Sequence, residues 1–403
     1  MLLSVNIRKF RSCNSVELND MHELLALIGR NGVGKTNILK AIEWAAGIES
    51  LPSGIGPDIG SPIRGDIVLR MTLGNQIFRY AVAVDFDMEK ESEIQANAFP
   101  AFFLKEELTI ESDDGGAEIM IFSLNRGDLK VGDGSIAAKI GSLSPGGSAI
   151  LALYPDHKVA PLLREVIAFL SAIRYYPLEE IEDDGRANLF VSNNEFQTWV
   201  STRSKTQGAN KLILLKILDL KLNRPETFNE LLALLGPDGL ALISNILVRT
   251  FEIPAALEEE SKKDQTRKYH FIEFAPTGTK EESVYPFSSL SFGTRRIIRL
   301  VTSVVYDDAS VSLIEQPEDG IHHGLLHKLI PLLRSYANPK QFLVTSHSTA
   351  VFNRIEPSEI RLVDLADGQT TIRSLTATEL SAAESFMEND GPLSEFVESV
   401  QEQ

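Results

Sequence analysis

The stretch Gly29-Arg30-Asn31-Gly32-Val33-Gly34-Lys35-Thr36 is the most informative part of this sequence. It fits the pattern GxxxxGK[ST], follows the wholly apolar run 24–28, and is followed by an amphipathic segment over about 35–46. The apolar run predicts a buried strand, and the segment behind the glycines predicts a helix. A strand, a glycine-rich turn and a helix in this order are the context that a phosphate-binding loop requires.

The residue types in this stretch suit the binding of phosphate groups. Glycines let backbone N–H groups converge on phosphate oxygens, and the N-terminus of the following helix adds partial positive charge. Lys35 would place its charge on the β- and γ-phosphates, and the Thr36 hydroxyl would ligate Mg²⁺. The residues that we predict to contact the nucleotide from this loop are Asn31, Gly32, Val33, Gly34, Lys35, Thr36 and Asn37.

Two further buried runs supply candidates for the other half of the site. The run 311–314 ends at Glu315, and open α/β sheets bind their ligands at the carboxyl ends of strands, so Glu315 is the second predicted Mg²⁺ ligand. The run 341–345 ends at Ser346-His347, where a histidine can hydrogen-bond the γ-phosphate or the attacking water. Glu315 and His347 are therefore predicted to be catalytic residues.

A second anion-binding helix start is predicted at Leu290-Ser291-Phe292-Gly293-Thr294. Serine and glycine before a helix expose backbone N–H groups to an anion. A site built on one phosphate loop has no need of a second cradle so far along the chain. Ser291 and Gly293 are therefore predicted to contact the nucleotide held by another subunit, which implies a head-to-tail dimer.

Apolar periodicity organises the rest of the chain. From about 290 onward helices alternate with buried strands, which implies a parallel sheet covered on both faces. Residues 133–149 are rich in Gly and Ser and predict a loop, and residues 195–262 look largely helical. A strand is predicted at 268–275, and an antiparallel sheet is predicted from the strand-like runs 66–74, 77–86, 99–110 and 117–123.

Composition excludes several classes of protein. The chain has 403 residues, 39 of them basic and 56 acidic, and its formal net charge of −17 makes it a poor general binder of nucleic acid. It has no apolar run of about 18 residues, so no membrane span is expected. The single cysteine, Cys13, excludes an intrachain disulfide and fits a reducing cytoplasm.

Taken together, the motifs resemble those of an ABC-type ATPase head of the RecF/SMC/OLD class, nearest to the compact ATPases of bacterial defence systems. The resemblance covers about 1–50 and 285–350, and the signature segment departs from LSGGQ at Phe292 and Thr294. The matching segments are 9–12 for the opening strand motif, 29–36 for Walker A, 290–294 for the signature, 313–316 for Walker B, 318–322 for the D-loop region and 346–347 for the switch histidine.

The resemblance implies the fold and the division of the chain. We expect an α/β P-loop head with a mixed sheet, an antiparallel β subdomain and a helical insertion. The predicted parts are an N-terminal ATPase lobe over 1–155, a mainly helical insertion over 156–285 and a C-terminal lobe over 286–403. In the opening motif, the resemblance places Arg11 and Ser12 close to the nucleotide.

The resemblance also implies a cytoplasmic ATPase that uses ATP and Mg²⁺ and works as a homodimer, or as a larger oligomer built from dimers. The first hypothesis for its role is a bacterial anti-phage defence switch that holds or releases an effector or toxin protein. The alternative is a DNA-repair or chromosome-associated ATPase that clamps DNA. A transporter ATPase would need a membrane partner, and the RecF-like opening motif argues against that.

The resemblance adds Gln316 and Glu318 to the predicted catalytic residues, and Gln316 departs from the usual pattern of this class. Relatives commonly carry a second acid at this position, which polarises the attacking water, and an amide cannot act as a base. Three interpretations stay open: a native glutamine, an engineered Glu→Gln change that traps ATP, and a displaced alignment. The Q-loop glutamine also has no secure position, and Gln197 is one candidate.

Overall fold

The computed structural model describes residues 1–47, 65–86, 102–111, 118–132, 143, 147–154, 160–177, 190–202, 209–254, 266–279 and 283–401. Most of the predicted loop 133–149 lies outside these residues. The chain divides into two compact units: the first contains 1–176, 309–317 and 333–403, and the second contains 177–308 and 318–332. The predicted division at 155 and 285 stays a prediction.

The described residues form strands and helices in the following order. The strands are β1 Leu2–Phe10, β2 Cys13–Leu18, β3 Leu24–Ile28, β4 Asp66–Leu73, β5 Gln76–Phe86, β6 Phe102–Glu111, β7 Glu118–Asn125, β8 Asp128–Val131, β9 Ile173–Tyr176, β10 Phe190–Ser192, β11 Ile243–Pro254, β12 Thr266–Pro276, β13 Tyr285–Pro286, β14 Val311–Glu315, β15 Gln341–Ser346, β16 Ile360–Ala366 and β17 Gln369–Ser374. The helices are α1 Lys35–Ala46, α2 Ala149–Leu153, α3 Ala160–Ser171, α4 Asn193–Thr202, α5 Ala209–Asn223, α6 Pro225–Leu235, α7 Phe292–Tyr306, α8 His323–Tyr336, α9 Thr349–Phe352, α10 Ala377–Asn389 and α11 Leu393–Gln401.

A six-stranded sheet in the first unit has the order β17-β16-β3-β15-β14-β9. Its strands run parallel except β17, which is antiparallel to β16. All five residues of β3 are buried, as are the first four of β14, because both faces of a parallel sheet are covered. The predicted parallel sheet is confirmed, and its carboxyl edge holds the ends of β3, β14 and β15.

A seven-stranded antiparallel sheet in the same unit has the order β2-β1-β4-β5-β6-β7-β8. It confirms the predicted antiparallel subdomain. Helix α1 lies between the two sheets, with contacts to β1 and β4 on one side and to β9, β14 and β15 on the other. Its buried Ile38, Leu39 and Ile42 belong to one apolar core with residues of both sheets, so the start of α1 is held rigidly.

The second unit contains helices α4 to α7 and a sheet of order β10-β12-β11, with β13 beside β12. The prediction of a largely helical stretch over 195–262 is correct for the described residues up to Leu235 and wrong for 243–254, which form β11. Strand β11 is antiparallel to β12 along its whole length. Its apolar residues are mostly β-branched, and this distant partner strand satisfies its backbone groups, which overrides the local pattern. Residues 203–208 and 255–262 of the same prediction lie outside the described part of the chain.

The searched residues contain no helix with both the length and the apolar character needed to cross a membrane.

Candidate functional site

The phosphate loop has two glycines whose backbone conformations disfavour other residues. Gly32 has φ +83° and Gly34 has φ +100°. A Cβ on Gly34 would lie 1.9 Å from Oγ1 of Thr370, whereas a Cβ on Gly32 would meet nothing within 4 Å. Gly29 is also required by close packing, since its Cβ would lie 2.1 Å from the carbonyl oxygen of Val363. The loop is therefore pressed against β16 and β17, while Gly32 lies on its open side.

Lys35 is the first residue of α1 and is only 4% exposed. Its Nζ donates to the carbonyl oxygens of Gly29 at 2.6 Å and of Arg30 at 2.8 Å. The ammonium group is thus held inside the curve of the loop by the loop's own backbone. A buried positive charge at the start of a helix, where the helix also presents its first backbone N–H groups, is well suited to phosphate.

Glu315 lies at the end of β14 and accepts a hydrogen bond on each carboxylate oxygen. The Thr36 hydroxyl donates to Oε1, and the Tyr175 hydroxyl donates to Oε2 at 2.5 Å. The structure therefore brings the two predicted Mg²⁺ ligands together. Tyr175, on the neighbouring strand β9, was not singled out from the sequence, because a tyrosine in a short strand carries no motif.

Gln316 directly follows β14 and has the left-handed φ of +40°. Its backbone N–H donates to the carbonyl oxygen and to Oγ1 of Thr345, at 3.0 and 3.1 Å. Its side-chain Nε2 lies 3.4 Å from Oδ1 of Asn31. Gln316 is therefore tied to β15 through its backbone and faces the phosphate loop with its amide.

His347 follows the last residue of β15, Ser346, and is exposed. Glu315 is paired with Thr345 in the parallel sheet, so His347 lies at the same carboxyl edge, two residues beyond that pair. Ser346 is buried, and its Oγ accepts from the backbone N–H of Ser348 at 3.0 Å. This turn fixes where the histidine leaves the sheet.

Arg11, Ser12 and Asn37 form a connected group beside the loop. Nη1 of Arg11 donates to Oδ1 of Asn37 at 3.2 Å, and Nδ2 of Asn37 donates to Oγ of Ser12 at 2.8 Å. The Ser12 hydroxyl lies 2.7 Å from Oγ1 of Thr370, which donates to the carbonyl oxygen of Val33 at 2.8 Å. The predicted residues therefore come together, and Thr370 is a member that the motifs did not reveal.

The thiol of Cys13 is buried beside this group. Burial raises its pKa to about 11, although nearby hydroxyls of Thr370 and Ser12 and the charge of Arg11 oppose the shift. The thiol is therefore neutral at physiological pH and adds no charge to the phosphate loop.

Ser291, Gly293 and Glu318 belong to the second unit. Ser291 is the N-cap of α7, and its exposed Oγ accepts from the backbone N–H of Thr294 at 3.2 Å. A Cβ on Gly293 would lie 2.3 Å from the carbonyl oxygen of Gly320. The signature segment and the residues after Glu318 are therefore packed together within this unit.

Glu318 is 8% exposed, and its carbonyl oxygen accepts from the backbone N–H of Ile321 at 3.1 Å. Gln197, the candidate for the Q-loop, lies on α4 with its side chain exposed. Its assignment stays a prediction.

The oxygen atoms of Thr36 and Glu315 suit an Mg²⁺ ion that is bound together with a nucleotide. Mg²⁺ prefers oxygen ligands and is commonly held by one or two carboxylates together with substrate phosphates, rather than by a cage of protein ligands. The hydroxyl of Thr36 and the carboxylate of Glu315 supply such oxygens next to Lys35 and the glycine loop. No cluster of three or more His, Cys, Asp or Glu suited to a metal is found among the residues searched.

A glycine-lined loop between a buried parallel strand and a helix, faced by a carboxylate on another strand of the same sheet, defines an α/β fold of the P-loop nucleotide-binding class. The chain belongs to the family described as "AAA domain, putative AbiEii toxin, Type IV TA system", which matches residues 24–152 and 210–353. It is therefore a P-loop ATPase of that family, and the predicted fold class is confirmed.

Solved structures of SMC heads are similar to this chain. An SMC head bound to the C-terminal winged-helix domain of ScpA is 15% identical, with 94% of this chain and 99% of that chain covered and a TM-score of 0.47. The SMC head domain from Thermotoga maritima is 14% identical, with 93% and 99% covered and a TM-score of 0.42. An SMC head from Pyrococcus furiosus, bound to the C-terminal domain of ScpA, is 16% identical, with 96% and 98% covered and a TM-score of 0.42. No curated protein matches the chain.

Proposed function

We propose that this ATPase is a switch in which two copies pair head to tail around ATP and Mg²⁺. The observation that carries the proposal is the hydrogen bond from Thr36 to Glu315, two residues that lie 279 positions apart in the chain. It brings a Walker A hydroxyl and a Walker B carboxylate together, next to the buried ammonium of Lys35. Those three groups match the charge and ligand requirements of a nucleoside triphosphate with Mg²⁺.

Each site residue has a proposed role in this scheme. Bound Mg²⁺, held by Thr36 and Glu315, would neutralise negative charge on the phosphate oxygens. Gln316 would orient water through its amide without accepting a proton, and His347 would hydrogen-bond the terminal phosphate. Glu318 follows β14 closely in the chain, and its carboxylate is a further candidate for the general base. The groups proposed to contact the nucleotide are Arg11, Ser12, Asn31, Gly32, Val33, Gly34, Lys35, Thr36 and Asn37.

The signature residues Ser291 and Gly293 would complete the site of the partner copy. Ser291 is exposed at the start of α7, a helix of 15 residues whose N-terminal end favours an anion. Nucleotide bound by one copy would then bridge to the other. Because the γ-phosphate would be contacted by both copies only in the assembled state, its presence would favour the dimer and its loss would release it.

The proposed role of the switch is bacterial defence in the cytoplasm, with an effector or toxin protein as partner. The description of the family includes a toxin–antitoxin system, which supports this choice. The net charge of −17 argues against general binding of DNA, the alternative cargo.

A mixing experiment tests the head-to-tail arrangement. Lys35→Ala should remove nucleotide binding, and Ser291→Arg should block the signature while leaving Walker A intact. In a head-to-tail pair of the two variants, one site combines the intact Walker A of one copy with the intact signature of the other. Sedimentation velocity with ATP and Mg²⁺ should therefore show no dimer for either variant alone and recovered association for the mixture.

If each site used the signature of its own chain, the mixture would not recover association, and the proposed arrangement would be wrong.

A gel-shift titration tests whether the partner of the switch is DNA. DNA binding that requires ATP and weakens steeply with salt would contradict the protein-partner role and support a DNA clamp.

A further inference from the structure

Thr370 on β17 is 1% exposed and touches the nucleotide site from the C-terminal hairpin β16–β17. Its Oγ1 donates to the carbonyl oxygen of Val33 at 2.8 Å and lies 2.7 Å from Oγ of Ser12. Its backbone N–H donates to the carbonyl oxygen of Ser12 at 2.8 Å. One buried side chain therefore contacts both the phosphate loop and the opening strand motif.

The direction of these hydrogen bonds follows from the number of hydrogens available. A threonine hydroxyl has one hydrogen, which goes to Val33, so Ser12 must be the donor in its contact with Thr370. The Ser12 oxygen accepts from Nδ2 of Asn37, whose Oδ1 accepts from Arg11. All four bonds therefore run one way, from the guanidinium of Arg11 to the backbone of the phosphate loop. Donors and acceptors aligned in this manner reinforce one another.

The last hydrogen bond of this series, from Thr370 to Val33, fixes the orientation of the peptide group that joins Val33 to Gly34. In a trans peptide the C=O and the following N–H point to opposite sides. With the carbonyl of Val33 turned toward Thr370, the N–H of Gly34 points away from β17. A phosphate loop attracts anions through N–H groups, and a carbonyl turned inward would repel them.

We propose that Thr370 is a positioning residue of the nucleotide site and that it couples Arg11 to the conformation of the phosphate loop. The inference rests on the proposed binding of ATP. Without the hydroxyl, the Val33 carbonyl loses its partner and the peptide can turn. Nucleotide binding must then reorder the loop, which lowers affinity.

The test measures the dissociation constant for ATP with Mg²⁺ by titration calorimetry, together with the melting temperature of the nucleotide-free chain. Thr370→Val keeps the shape and removes the hydroxyl, and we expect affinity to fall about tenfold, the scale of one buried hydrogen-bond partner. Thr370→Ser retains the hydroxyl and should restore affinity to within about threefold of wild type. The matched control is Thr371→Val, because Thr371 is the neighbouring, exposed residue of the same strand.

Each outcome decides the proposal. Wild-type affinity in Thr370→Val, even with a lowered melting temperature, would show a merely structural role and overturn it. Equal losses in the Val and Ser variants would overturn it as well. If Thr370→Val does not fold, Ser12→Ala removes the donor to Thr370, and unchanged affinity there would overturn the coupling. If the wild-type chain itself does not bind ATP, the proposed function fails and the positioning role fails with it.

Discussion

The hydroxyl of Tyr175 lies 2.5 Å from Oε2 of Glu315, on the opposite side of the carboxylate from the hydroxyl of Thr36. Strands β9 and β14 are parallel neighbours, which brings the tyrosine alongside the end of β14. A carboxylate held through both oxygens has one orientation. Groups that orient a metal ligand from behind usually change metal affinity strongly when they are removed.

Tyr175→Phe should therefore weaken Mg²⁺ binding in the presence of ATP by about tenfold, the lower end of the usual effect. The measurement is the Mg²⁺ concentration that half-saturates ATP hydrolysis. ATP binding without Mg²⁺ should not change, because the phosphate loop is untouched. Tyr176→Phe is the control, since successive residues of a strand point to opposite faces. An unchanged Mg²⁺ requirement in Tyr175→Phe would mean that Glu315 is oriented by other groups.

Replacement of Gln316 by Glu tests whether a carboxylate at this position accelerates ATP hydrolysis. The amide lies 3.4 Å from Oδ1 of Asn31, so the side chain faces the phosphate loop. A carboxylate there would accept a proton from water, and Gln316→Glu should raise the steady-state rate of phosphate release by about tenfold or more. Gln316→Asn, which shortens the amide without adding a base, should not raise it. Equal rates for the Glu variant and the wild type would leave proton abstraction to another residue.

The sequence predicted the parts of the site that are encoded locally. Gly29 to Thr36 form a continuous motif whose chemistry can be interpreted without the fold, and the buried runs that end at Glu315 and Ser346 were correctly predicted as strands of a parallel sheet.

Contacts made between distant segments could not be predicted. Thr370 follows Ser12 by 358 residues, and nothing in its neighbours distinguishes it from an ordinary strand threonine. Strand β11 was missed for a related reason: it is stabilised by pairing with a separate segment, β12, and a short apolar run does not by itself distinguish a strand from a helix.

Alanine variants of Gly32 and Gly34 distinguish two effects on the free energy of unfolding: backbone conformation and close packing. Gly32→Ala places a Cβ in open space at φ +83°, and we expect it to lower the free energy of unfolding by about 1 kcal/mol. Gly34→Ala adds a clash with Oγ1 of Thr370 at 1.9 Å to a similar backbone strain, so the loss should be roughly 2–4 kcal/mol. Urea denaturation of both variants gives the comparison. Equal losses would mean that the loop moves away from Thr370 easily.

Gly293 and Gly320 hold the signature and the D-loop region together within the second unit. A Cβ on Gly293 would lie 2.3 Å from the carbonyl oxygen of Gly320, and that oxygen belongs to backbone that cannot rotate away like a side chain. Gly293→Ala must therefore shift one segment relative to the other. If both segments contact the partner copy, ATP-dependent association should weaken by about tenfold or more, the factor that corresponds to ~1.4 kcal/mol.

Sedimentation velocity with ATP and Mg²⁺ measures this association, and ATP affinity is measured at protein concentrations too low for pairing. That affinity should not change, because the variant leaves Walker A and Walker B as they are. Gly324→Ala is the matched control: its Cβ would lie 3.4 Å from Nδ1 of His322, an ordinary contact, on the early part of α8. Full association of Gly293→Ala would exclude the signature as part of the interface, whereas loss in both variants would indicate general disruption of the unit.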